Sequence, residues 1–190
     1  MKTLTLLFFC FLSTPLFSQV DWGIKSGVGI STIYKPKGSH LAHDFKYLSA
    51  FEVSGYVRGS IYREKLHLKI VPGISLLGTR FGSDRTIEPV TYQNIRLYNI
   101  KLPVYLEYSF TEWIRVHAGA VYLYRLSDTF LVAWKHDLMV SAGASVKLVD
   151  KLFLVISGQS SLTLNKETFT STPFLLQRYF MAGLQFRLSK

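Results

Sequence analysis

Between Leu97 and Arg125 the chain reads LYNIKLPVYLEYSFTEWIRVHAGAVYLYR. Tyr98, Ile100, Leu102, Val104, Leu106 and Tyr108 share one parity, and Asn99, Lys101, Pro103, Tyr105 and Glu107 fall between them. After a polar turn at Ser109 to Glu112, Ile114, Val116, Ala118, Ala120, Tyr122 and Tyr124 alternate with Arg115, His117, Gly119, Val121, Leu123 and Arg125. Side chains of a strand point to opposite faces in turn, so this period predicts two long strands with one apolar face each. Tyrosines stand at both ends of that face, where a bilayer-spanning strand carries its interfacial aromatics.

The start of the chain narrows the setting. Lys2 precedes an apolar run from Leu4 to Leu12, followed by a more polar Ser13 to Gln19. This is the layout of a secretory signal peptide, and the run is too short to span a bilayer as a helix. Residues 1–19 are expected to be removed, leaving residues 20–190 as one domain. Cys10 follows leucine at a lipoprotein-like spacing, but Phe8 and Phe9 stand where such a signal needs small residues. It is the only cysteine, so a mature chain would hold no disulfide and would need another closed architecture. Losing Lys2 leaves 21 basic against 12 acidic residues, a net charge of +9. The basic residues are scattered through the strands, which with export excludes nucleic acid. It points instead to anionic headgroups, lipopolysaccharide phosphates and a charged interior.

In order, the alternation predicts strands at Val20–Tyr34, Tyr47–Ile61, Lys65–Thr79, the hairpin just described, Asp137–Val149, Leu152–Leu164 and Phe174–Leu188. The connections run long (Lys35 to Lys46), short, long (Arg80 to Thr91), short, long (Leu126 to His136), short, long (Asn165 to Pro173). Short turns at one end and long loops at the other are the rhythm of an outer-membrane barrel. In hydrocarbon the sheet must close so that every backbone group is paired. The predicted fold is therefore all-β, an eight-stranded antiparallel up-and-down transmembrane β-barrel in the outer membrane. A soluble lipocalin-like barrel, with the faces inverted, is the alternative. The small, glycine-rich face of Val20–Tyr34 and the recurrent strand-end aromatics argue against it. Pro72 and Pro103 cannot donate to a ladder and are each expected to mark a bulge or gap.

The segments WGIKSGVGIS, YNIKLPVYLEY, HAGAVY and AGLQFRL resemble the small outer-membrane β-barrel family of Bacteroidota. That family includes PorT-like proteins and is related in architecture to OmpA and OmpX barrels. The resemblance spans essentially the whole mature chain. It implies the barrel fold, and its PorT-like members imply an accessory role in gliding-associated protein secretion. It brings no catalytic motif.

The inward parity collects Lys25, Glu52, Arg58, His67, Lys69, Lys101, Glu107, Arg115, His117, Lys147 and Arg187. An eight-stranded barrel is just wide enough for side chains to fill, so these are expected to form a plug of ion pairs. The alternative is a narrow anion path or peptide-binding lumen. Trp22, Tyr34, Tyr62, Tyr98, Tyr108, Trp113 and Tyr124 are the expected membrane-interface aromatics. His40 and His43 have no cysteine and only Asp44 beside them, so no metal site is expected. His117 with Ser141 or Ser145 would be the only hydrolase-like grouping, and nothing is identifiable to orient the histidine. No cofactor or catalytic residue is assigned. The expectation is a non-enzymatic, monomeric envelope or surface protein in contact with outer-membrane lipid and lipopolysaccharide. Secretion-machinery proteins are its candidate partners. A lipid- or protein-modifying barrel enzyme, a passive pore and a lipocalin-like binder are the rivals.

Overall fold

The computed structural model describes residues 20–34, 43–62, 64–83, 92–127, 135–162 and 176–189. They form β1 (Val20–Tyr34), β2 (His43–Tyr62), β3 (Leu66–Ile70), β4 (Gly73–Ser83), β5 (Tyr92–Ser109), β6 (Ile114–Arg125), β7 (His136–Val149), β8 (Leu152–Ser161) and β9 (Leu176–Arg187). Each strand pairs antiparallel with its neighbours, and β1 closes the ring on β9 from Gly23↔Arg187 to Tyr34↔Leu176. β3 and β4 both lie between β2 and β5 and are two halves of one spanning strand. Over its spanning part the sheet is therefore a closed eight-stranded antiparallel barrel, the condition for burying a sheet in hydrocarbon.

The division between β3 and β4 comes from the two prolines together. Val71 donates to the Pro103 carbonyl at 3.0 Å, and Gly55 donates to the Pro72 carbonyl at 3.0 Å. Neither proline has an N–H to return, so two adjacent rungs each keep half their bonding. The register is the same on either side, Ile70↔Val104 before and Gly73↔Lys101 after. Pro72 thus marks a gap without a bulge. At Pro103 the expected local break is absent from its own strand, because β5 runs unbroken from Tyr92 to Ser109.

Three strands are longer than their sequence suggests. His43 to Lys46 and Arg80 to Ser83 are strand where loops were expected, and β5 starts at Tyr92. His43↔Ser83 and Gly82↔Tyr92 pairing carries β2, β4 and β5 past the other strands as a raised ridge at the long-connection end. A ridge standing in water needs no apolar face, so its polar residues imitate a loop. Where it leaves the barrel, the β2–β4 register slips between Tyr47 and Phe51. There the Ser31 hydroxyl donates to the Gly78 carbonyl and accepts from the Gly78 N–H, both at 2.7 Å. One side chain thereby satisfies a backbone unit beside the slip in the ladder.

The faces sort as a bilayer requires. Outward stand Ile24, Val28, Val53, Ile74, Leu106, Ile156 and Phe180, each more than half exposed. Inward stand the ionised and amide side chains, among them Lys25, Glu52, Lys69, Lys101, Glu107 and Gln185. A water-soluble barrel would show the reverse.

Candidate functional site

Two glycines make room for the lumen's large groups. Gly23 faces Tyr56, where a Cβ would stand 2.7 Å from the ring, and Gly143 faces His117, where it would stand 2.6 Å from Nε2. With that space the charged residues gather on three carboxylates.

Glu52 on β2 holds Lys25 of β1 at 2.7 Å through Oε1 and Lys101 of β5 through Oε2. Glu107 on β5 holds Arg58 at 2.7 Å, Lys69 at 3.2 Å and Arg115 at 3.9 Å. Asp21, near the start of β1, holds Arg58 at 2.8 Å and Arg187 at 3.9 Å. Arg58 therefore bridges two carboxylates, and Arg115–Glu107–Arg58–Asp21–Arg187 forms a chain of alternating sign. Lys69 also donates to Gln185 at 2.5 Å and lies 5.1 Å from the Tyr56 ring centroid. Each carboxylate is shared by at least two cations, so positive charge exceeds negative along this wall.

The half of the lumen toward the long connections is different. Leu77, Leu97, Val121, Leu123, Met139, Tyr179 and Met181 are buried there, none more than 2% exposed. All but Leu97 pack in one apolar cluster, a plug that continues down the lumen to Ala50, Tyr56, Val71 and Tyr105. Above it Ser161 donates to Asp137 at 2.6 Å, and within it the Tyr179 hydroxyl donates to Gln159. An ion on this route would have to shed its water against leucine and methionine, which is prohibitively costly.

His67 is buried beside the short-turn end. His117 is buried with its ring 4.8 Å from Tyr105. Neither of its ring nitrogens has a hydrogen-bond partner among the described residues. Ser141 donates to the Tyr105 hydroxyl at 3.4 Å, and Ser145 is buried one strand from Arg115. No serine–histidine couple with an orienting carboxylate is assembled from them. Lys147 turns from the plug to the tight turn, pairing with Asp150 at 3.0 Å and lying 5.6 Å from the Trp113 ring. His40 and the side chain of His43 lie outside the described residues. Among those described, no three metal-ligating side chains converge.

Trp22, Tyr62, Tyr108 and Trp113 stand exposed around the short-turn end, and Tyr108 meets Phe110 edge-on at 5.0 Å. Tyr98 is exposed where β5 begins to rise into the ridge, and Tyr124 is half-buried at the other end of β6. The Tyr34 side chain is outside the described residues. On the ridge's outward face, Lys46, Arg80 and Asn94 are register partners and Arg96 is next to them. Lys46 lies 4.0 Å from the Tyr92 ring centroid. Directly below is an apolar groove of about 240 Å³ lined by Phe51, Val53, Ile74, Leu76, Tyr98 and Leu126.

Sequence reasoning did not single out Asp21, Gln185 or the apolar plug. Asp21 and Gln185 share the inward parity of Lys25 and Arg187, which was a usable signal. The plug had a signal too, because Leu77, Leu97, Leu123 and Met139 break the small-or-polar habit of that face.

No protein-family model matches the chain, and no curated protein is similar to it. Solved structures are. Ail, the attachment invasion locus protein of Yersinia pestis, is similar at 13% identity with a TM-score of 0.51, over 90% of this chain and 99% of that one. Its structure in complex with the heparin analogue sucrose octasulfate is similar at 12% identity with the same score and coverage. Neisserial surface protein A shares 13% identity over 88% of this chain and 98% of that one, with a TM-score of 0.48. At such identities the likeness to Ail concerns the fold. Together with the closed ring, the apolar outer band and the charged interior, it makes this chain an eight-stranded transmembrane β-barrel.

Proposed function

We propose that the protein is an exported, non-enzymatic outer-membrane barrel that does not conduct and acts through its exposed ends. The observation that carries this reading is the lumen filled by side chains, ion-paired below and crossed by an apolar layer above. The short turns would face the periplasm, and the ridge with the long connections would face outward. Lys46, Arg80 and Arg96, set above an apolar groove, suit a phosphorylated lipid such as lipopolysaccharide, with its acyl chain along Phe51 and Ile74. The chain would then serve as an envelope structural or surface-contact protein.

A finer reading, an accessory of protein secretion, is supported by the resemblance of WGIKSGVGIS and YNIKLPVYLEY to PorT-like barrels. Deleting the gene and following secreted protein tests it, and unchanged secretion counts against it. The broader proposal is tested by fractionation, gel migration before and after boiling, and planar-bilayer conductance. The expected result is outer-membrane location, a heat-dependent shift and no unitary currents. Soluble periplasmic protein or stepwise conductance overturns it.

A further inference from the structure

The short-turn end opens into a cavity of about 700 Å³ lined by Asp21, Arg58, Arg115, Phe153 and Arg187, among others. Arg115 is 9% exposed and Arg58 6%. The carboxylates here are committed. Glu107 serves Arg58, Lys69 and Arg115, and Asp21 serves Arg58 and Arg187. Four cations therefore share two acids at this end of the lumen.

Arg58 is the most engaged, with Nε 2.7 Å from a Glu107 oxygen, one terminal nitrogen on Asp21 at 2.8 Å and the other donating to Ser109 at 3.2 Å. Arg115 and Arg187 are less so. Each comes no nearer than 3.9 Å to its carboxylate, against 2.7 and 2.8 Å for Arg58, and the Nε of each, like that of Arg58, is buried with no hydrogen-bond partner among the described residues. Arg187 gives one further bond, to the Asp150 carbonyl at 3.3 Å. Phe153 backs the Arg115 guanidinium at 4.3 Å. The other charged groups lining the opening, Glu64, Lys65 and Glu112, are exposed, and Lys147 is paired with Asp150. Water screens those rim charges far more than the buried excess.

We propose that this mouth is a binding site for a compact dianion of the phosphate class, held by Arg115 and Arg187. Two incompletely paired guanidiniums facing one cavity match phosphate oxygens with charge-assisted bonds. A buried excess of positive charge is costly until an anion joins it. The volume lies within the range of small-molecule sites, so a phosphate monoester with a small body fits as well as phosphate itself.

The test uses the full mature chain folded in zwitterionic micelles, titrated with inorganic phosphate and with glycerol 3-phosphate by calorimetry. Saturable one-to-one binding is expected. Arg115→Gln and Arg187→Gln should each weaken it by about tenfold or more, the scale of a lost charged hydrogen bond. Lys135→Gln, exposed at the opposite end just before β7, should leave it unchanged. If Arg115→Gln fails to fold, judged by heat-dependent gel migration, Arg187→Gln at the rim decides. Repeating the titration in vesicles containing phosphatidic acid separates the sources. Loss of the phosphate signal there, restored in phosphatidylcholine, assigns the site to a lipid headgroup; persistence assigns it to a soluble phosphate. Absence of saturable binding, or equal weakening by Lys135→Gln, overturns the proposal.

Discussion

Replacing Glu52 by glutamine removes one charge and almost no volume from the middle of the barrel. Glu52 is 2% exposed and stands between Lys25 and Lys101, themselves 4% and 1% exposed. At an effective dielectric of about 20, each contact represents gross attraction of roughly 4–6 kcal/mol, most of which offsets the desolvation of the ions. Glutamine can still accept from one ammonium, but two like charges then face each other in a dry wall. Breaking a buried pair from one side costs about 3–5 kcal/mol, and that is the expected loss for Glu52→Gln. Replacing the whole group, as in Lys25→Met, Glu52→Leu and Lys101→Met together, should recover most of it, because no ion is then left unpaired. The assay is reversible urea unfolding in phospholipid vesicles, followed by tryptophan fluorescence and gel migration. An unchanged slope with a lowered midpoint would locate the loss in native stability. A Glu52→Gln variant within about 0.5 kcal/mol of the parent would refute the reasoning, because surface substitutions cost no more than that.

Three further outcomes follow from the geometry. Ser31→Ala strips the Gly78 N–H and carbonyl of their shared partner and should cost about 1–3 kcal/mol in the same unfolding assay. Gly143→Ala places a methyl against the Ile156 carbonyl oxygen and 2.6 Å from the His117 ring, and should destabilise by about 1–3 kcal/mol. Truncating the ring in a His117→Ala, Gly143→Ala double variant should return part of that loss, which a double-mutant cycle would read. Val28→Arg, midway along β1 on the lipid face, should cost about 2–4 kcal/mol in vesicles. The same arginine at Lys46 on the ridge should be nearly neutral.

The alternation of Tyr98 to Tyr108 and of Ile114 to Tyr124 was enough to determine strands, faces and turn rhythm. Side-chain direction in a strand is a local property with a period of two. A membrane barrel obeys it without relief, because a wrong-facing residue meets either hydrocarbon or a packed lumen. The same parity separates Lys25, Glu52 and Lys101 from Ile24, Val53 and Leu102. It says nothing of which acid meets which base, since Glu52 and Lys101 are 49 positions apart and their meeting depends on register and shear. Only closure brought Asp21 to Arg187, and only the register of β2, β3, β5 and β6 set Glu107 among Arg58, Lys69 and Arg115. Nor could local polarity distinguish the water-facing ridge of β2, β4 and β5 from loop, because ladder bonding there replaces the apolar face that marks a strand elsewhere. The joint effect of Pro72 and Pro103 is of the same kind. Each proline is visible in the sequence, but only the sheet places their two missing donors side by side. Sequence thus determined what each residue faces, through a local steric period. Tertiary structure decided what each residue meets, through the closure of a ring that no local signal records.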